Sequence, residues 1–175
     1  MENENVFFGV KRVKDIYFAI NEQLYVPDPT KVVKVELGER IGFNLEFNLV
    51  NFILRIFFHY VEEPEILVDF QVENIFEVSN LIQFRNKDEI MILPPKLITS
   101  IVGLSLSHGR ALLLKNTSGT RWQEIVLPVT NPEDVAKYFY PYMFNVETVA
   151  FKGDKDGNPK SESVVVNKKK KAAKR

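Results

Sequence analysis

Pro94 and Pro95 introduce the stretch that most limits what this chain can fold into. Pro95 suits the first turn of a helix, where a missing N–H is harmless. Beyond it Leu97, Ile101, Leu104, His108, Ala111 and Leu112 recur at steps of three and four, the spacing of one helical face. A helix from Pro95 to Lys115 would be roughly 30 Å long, enough to cross an antiparallel sheet. Gly103, Ser107 and Gly109 leave part of its surface thin, open to close approach by another backbone. Each glycine lowers helix propensity by about 1 kcal/mol relative to alanine. Packing must therefore hold this helix, and the residues before it supply the sheet it packs on.

Four extended segments precede it. Val6–Ile20 keeps Phe8, Val10, Ile16, Phe18 and Ile20 on one parity. Lys31–Asn48 has the cleanest alternation, with Val33, Val35, Leu37, Ile41, Phe43, Leu45 and Phe47 against Gly42, Asn44, Glu46 and Asn48. A period of two means one buried and one wet face; Gly38-Glu39-Arg40 is a bend within this strand or a turn. Phe52–Val61 is apolar at every even position but also carries Ile53, Phe57 and Val61 on the opposite face, as expected of a central strand or one that touches a partner. Ile66–Val78 alternates again, against Asp69, Gln71 and Glu73. Between the first two segments, Pro27 and Pro29 forbid regular structure in a loop bearing Leu24, Tyr25 and Val26. That loop either tucks against the core or serves as a functional flap. Short links between the other strands predict an α+β fold: a four-stranded antiparallel meander, one long helix covering its apolar face, and a short C-terminal helix.

After the long helix, Asn116–Thr120 reads as a turn and Arg121–Pro128, with Trp122, as extended. A second helix is expected from Asn131, with Pro132 in its first turn and Glu133 and Asp134 at its positive end, stopped by Pro141. The sequence thus divides into a single domain over residues 1–150 and a polar, Lys-rich tail over 151–175, expected to be disordered. Of 23 basic and 23 acidic residues, nine basic and three acidic fall in the tail, leaving 14 and 20 in residues 1–150. An acidic body argues against a nucleic-acid surface on the folded part. No cysteine is present, which excludes disulfides and removes the commonest zinc ligand. The acidic N-terminus does not resemble a secretory signal, and no run of about 20 uninterrupted apolar residues suggests a membrane span. A cytoplasmic location is expected.

No catalytic constellation stands out, and no cofactor or metal is expected. His59 and His108 are the only histidines; each reads as a satisfied core or interface side chain rather than a catalytic one. Ser107 beside His108 is a sequence neighbour, not a triad. Asp154–Asn158 begins like a calcium loop, but Pro159 stands where glycine is needed and Val165 where glutamate is needed. Lys168, Lys169, Lys170, Lys171, Lys174 and Arg175 form either a solvated end or an arm for RNA, a ribosome or an acidic membrane surface.

A series of segments, in order, resembles the SecB-type export chaperones and the SecB-like chaperones of toxin–antitoxin systems. Arg12-Val-Lys-Asp-Ile-Tyr-Phe18 is similar to the family's opening strand, and Leu67-Val-Asp-Phe-Gln-Val-Glu-Asn-Ile-Phe-Glu-Val78 to its fourth, with Asn74 where glycine is common. Leu93-Pro94 resembles the Phe-Pro that leads into the long helix, Ser107-His-Gly109 a serine–basic–glycine signature late in it, and Leu127-Pro-Val-Thr-Asn-Pro132 the segment before the last short helix. The resemblance spans roughly residues 8–140. It implies a four-stranded sheet with a packed helix, a dimer of dimers with helices between sheets, and ATP-independent capture of unfolded chains in apolar grooves formed by the crossover loop, the long helix and nearby strands.

Residues expected to contact such clients are Leu24, Tyr25, Val26, Ile53, Phe57, Val61, Leu97, Ile101 and Trp122, the last either as a contact or as plain core. Members that deliver clients to the SecA motor carry acidic or short apolar tails; a lysine tail favours another client or docking partner, such as an antitoxin. The expectation is thus a non-enzymatic, oligomeric holdase or peptide-binding module. The runner-up is a nucleic-acid or ribosome-associated β-domain that uses the tail for affinity and sheet aromatics for stacking.

Overall fold

A computed structural model describes residues 7–24, 30–63 and 65–145. The strands are β1 (Phe8–Ile20), β2 (Val33–Asn44), β3 (Leu49–Tyr60) and β4 (Ile66–Val78). All pairings are antiparallel, in the order β1-β4-β3-β2. β2, β3 and β4 form the meander, while β1 pairs with β4, so the connection after β1 carries the chain across the sheet. This is the α+β architecture that the SecB resemblance implies. Tyr25, Val26, the Asp154 loop and the whole lysine tail lie outside the described residues.

β3 shows why the sheet has two distinct faces. Val50, Phe52, Leu54, Ile56, Phe58 and Tyr60 are all buried, while every odd position between them is half-buried. β4 repeats this with Val68, Phe70, Val72, Phe76 and Val78. β2 runs unbroken through Gly38–Arg40 in continuous register with β3, so no bend forms there. It ends at Asn44, whose Oδ1 accepts from Phe47 N at 3.1 Å. Phe47 therefore sits in the turn and is exposed instead of extending the strand. β1 is irregular, with bulges between Val10 and Arg12 and between Asp15 and Tyr17.

The long helix, α1 (Pro95–Thr117), begins at Pro95 as expected, but its buried face differs from the stripe read in the sequence. Ile98, Ile101, Val102, Ser105, Leu106, Gly109, Leu113 and Thr117 are buried, while Leu97, Leu104, His108 and Leu112 are half-exposed and Ala111 is exposed. Apolar residues go nearly all round this helix, so spacing alone cannot choose its inner face. Sterics choose it. A Cβ on Gly109 would lie 3.0 Å from both Ile56 Cδ1 and Leu54 Cδ2. With 23 residues and a mean hydropathy of 1.5, α1 is also long and apolar enough to cross a membrane, contrary to expectation. One face of it is buried against the sheet, amounting to 39% of its 18-residue apolar window.

Residues 121–124 form turns rather than an extended segment, with Ile125 N donating to Trp122 O at 2.9 Å. Next comes α2 (Pro132–Phe139), capped by Asn131, whose Oδ1 accepts from Glu133 N at 3.1 Å. Pro141 does not simply end it; it opens one more turn, α3 (Pro141–Phe144). α2 packs on α1, with Gly103 admitting Pro132, and α3 packs on α2.

Candidate functional site

The structure divides the expected contact residues among separate places. Ile53 and Phe57 lie on the sheet face opposite α1, flanked in register by Arg40 and Glu73 and by Glu36 and Asp69. Leu24 ends a short turn, Glu22–Leu24, and packs against the core's margin. Val61 is 59% exposed in the turn after β3. Leu97 is half-exposed on α1. Ile101 and Trp122 are only 0% and 2% exposed, so they belong to the core and offer no surface to a peptide. Ile53 and Phe57 share a face, but α1 and Leu97 stand on the other side of the sheet.

The face bearing Phe57 is mixed in character. Arg55 donates to both Asp69 oxygens, at 2.9 and 2.7 Å, and lies over the Phe57 ring at 4.9 Å. Arg12 pairs with Glu73 at 2.6 Å. His59 donates from Nδ1 to the Tyr60 carbonyl at 2.8 Å and faces Glu36 with Nε2 at 3.2 Å. Both ring nitrogens thus have acceptors, and the imidazole pKa is raised, first by that carbonyl and then by Glu36. The Glu36 carboxyl is in turn lowered by its hydrogen bond to Lys34 and then by His59. Phe57 and Ile53 are therefore apolar islands among charged side chains, most of them paired.

A second surface was not anticipated from the sequence. A groove of about 630 Å³ lies between β2 and α2. Lys34, Glu36 and Leu37 form one wall, so residues from both faces of β2 line it. Asn131, Asp134, Val135 and Tyr138 form the other, at the spacing of one helical face. Tyr138 is 79% exposed there and meets Phe139 edge-on at 5.2 Å. Tyr140 is buried and anchors this region to β2 by donating its hydroxyl to Glu39. Burial, then the Glu39 carboxylate, holds its phenol far above the ordinary tyrosine range. The aromatic run Tyr138-Phe-Tyr-Pro-Tyr142 was the available signal, and reading Pro141 as a stop obscured it. At one end of the sheet a further hollow of about 550 Å³ is lined by Val32, Tyr60 and Val61, with Lys31 paired to Glu63 at its rim.

The nucleophile and acid–base candidates are engaged in structure. Ser107 Oγ donates to Gly103 O at 2.9 Å, and His108 Nδ1 donates to Asn74 Oδ1 at 2.8 Å. Asn116 donates from Nδ2 to Asp15 Oδ2 at 3.1 Å. Among the described residues the surface offers open apolar area, a strand edge and charge pairs at the rim.

No family model matches the sequence, and no curated protein matches it. Among solved structures, the Mycobacterium tuberculosis Rv1957 SecB-like chaperone in complex with a ChAD peptide from the Rv1956 HigA1 antitoxin is similar. The match covers 70% of this chain and 89% of that chain, at 9% sequence identity and a TM-score of 0.49. At that level it assigns no residue of this chain a role.

Proposed function

We propose that this chain is an ATP-independent holdase-type chaperone or peptide-binding module, without enzymatic activity, that captures non-native polypeptides on apolar surface, as the SecB resemblance implies. One observation carries the reading. The groove beside β2 joins an open strand edge to apolar side chains, Leu37, Val135 and Tyr138, on rigid elements. An extended chain needs both parts: main-chain hydrogen bonds for affinity and pockets for alternate side chains. Phe57 and Ile53, Val61 and Leu24 add apolar contacts for a longer client. A dedicated client such as an antitoxin and a broad range of unfolded chains fit this surface equally. The polyanion reading has less support, because three of the basic side chains on the open sheet face, Arg12, Arg55 and Lys34, are paired with carboxylates, which weakens the field that attracts phosphate.

The test is aggregation of a chemically unfolded protein, followed by light scattering without nucleotide. Suppression near one oligomer per client is expected, and Tyr138→Asp should weaken it about tenfold, the effect of roughly 1.4 kcal/mol lost at the groove. Absence of suppression together with absence of binding to any extended peptide would sink the reading.

A further inference from the structure

We propose that the chain's own tail, through Ser163–Asn167 and the lysines that follow, adds as a strand to β2 in the β2–α2 groove and competes with clients for it. The proposal rests on the reading above that this groove takes up extended polypeptide.

The two edges of the sheet are not alike. β1, at one edge, is interrupted by two bulges, a common way to keep an edge from pairing. β2, at the other, runs in continuous register over twelve residues with no bulge and no proline. Among the described residues no strand lies on its outer side. The groove opens over that edge, since Glu36 and Leu37 line it from opposite faces of the strand. A strand added there would bond to the β2 backbone and set alternate side chains against Val135 and Tyr138.

The chain itself leads to this place. Tyr140, bonded to Glu39 of β2, sets where α3 leaves the body at Asn145. Thirty residues follow, 146–175, of which eighteen, 146–163, precede Val164. Eighteen residues reach at most about 60 Å when extended, and their r.m.s. span as a flexible linker is about 25 Å. Either suffices to return to an edge beside the exit point, at an effective concentration in the millimolar range. Val164-Val165-Val166 is the β-branched triplet of the tail and is bounded by Ser163 and Asn167; β-branched residues suit a half-buried strand. Lys168–Lys171 comes next. The groove presents Asp134, together with a Glu36 already paired to Lys34, on a body with 20 acidic and 14 basic residues over 1–150. Apolar triplet to apolar wall and lysines to an acidic body give one consistent placement.

The experiment uses the full chain. It contains no cysteine, so Asn167→Cys carries a single nitroxide label. Broadening of β2 and α2 amides is expected, and its loss when Val165→Asp is added. In parallel, a fluorescein-labelled ten-residue peptide of alternating valine and serine reports groove access. Val165→Asp should tighten its binding about fivefold, because apparent affinity scales with the fraction of grooves open. Broadening absent or confined to β1, or equal peptide affinity in both chains, would overturn the proposal while leaving aggregation suppression to decide the chaperone reading. Broadening seen only between a labelled chain and a separate isotope-labelled chain would also overturn it, since the occupant would then be a second copy. Broadening on β2 with no peptide binding in either chain would uphold tail docking and remove the chaperone reading.

Discussion

Asn74 is wholly buried in β4, on the sheet face that α1 covers. Its Nδ2 makes long contacts of 3.5 and 3.4 Å to the carbonyls of Phe52 and Val72, and its Oδ1 accepts a hydrogen bond from His108 Nδ1 at 2.8 Å. This pair fixes the height of α1 over the sheet. Burial lowers the His108 pKa, so its neutral form is the folded one. Above the unfolded value near 6.5 it adds nothing to unfold against; as pH falls below that value and through the lower folded one, stability is lost. His59 has the opposite sign: its raised pKa gives stability fully present below the unfolded value and lost as pH rises through the folded one. These are the only two histidines, so single variants separate them. In His59→Gln the urea midpoint should fall between pH 7.5 and 5.5, and in His108→Gln it should rise over the same interval. Slopes of one sign in both variants would refute this assignment. Asn74→Ala should cost about 1–3 kcal/mol, measured by the same unfolding at pH 7, because it leaves the part-buried His108 Nδ1 without its acceptor and a gap in the buried row of β4.

At the scale of elements, Gly109 shows what a helix face owes to its smallest residues. Leu54 and Ile56 are buried tips that a Cβ at Gly109 would meet at 3.0 Å. Gly109→Val should lower stability by about 1–3 kcal/mol through overpacking, despite the gain in helix propensity over glycine. A denaturant midpoint at or above that of the unaltered chain would show that the sheet yields instead. The same residue explains what the sequence could and could not disclose. Strands β2 to β4 were legible because a period of two places most apolar side chains on one side, and β4 matches its expected span residue for residue. The start of α1 was legible from Pro94 and Pro95, and that of α2 from Asn131, Pro132 and their acidic neighbours. The inner face of α1 was not, because its buried side includes Ser105, Gly109 and Thr117, residues that hydrophobic spacing passes over. Ile53 and Phe57 lie off the core-facing row of β3, as the sequence suggested, while Val61 falls in the turn beyond the strand instead of within it. The groove was missed, since β2 and α2 are almost a hundred residues apart in sequence and meet only through tertiary packing.

At the scale of the whole molecule, one face of α1 is left uncovered among the described residues. Leu97, Ser100, Leu104, Ser107, Ala111 and Leu114 recur at steps of three and four, and all are half-exposed or exposed. An apolar-and-small stripe of this period suits packing against another helix, since small side chains let two backbones approach. A dimer of dimers with helices between sheets, the assembly that the SecB resemblance implies, would cover this stripe. It would leave both the β2–α2 groove and the Phe57 face on the outside. Oligomerisation and client capture would then use different surfaces, and one can be broken without the other. Leu104→Glu places a charge in the middle of the stripe without touching the groove, where desolvating an unpaired carboxylate opposes association. Light scattering coupled to size exclusion should show the mass fall by half or more, with circular dichroism unchanged. The variant should still bind the valine–serine peptide with the affinity of the unaltered chain. An unchanged oligomeric mass would remove α1 from the interface, and peptide binding lost along with the oligomer would mean that the groove is completed only by a second copy.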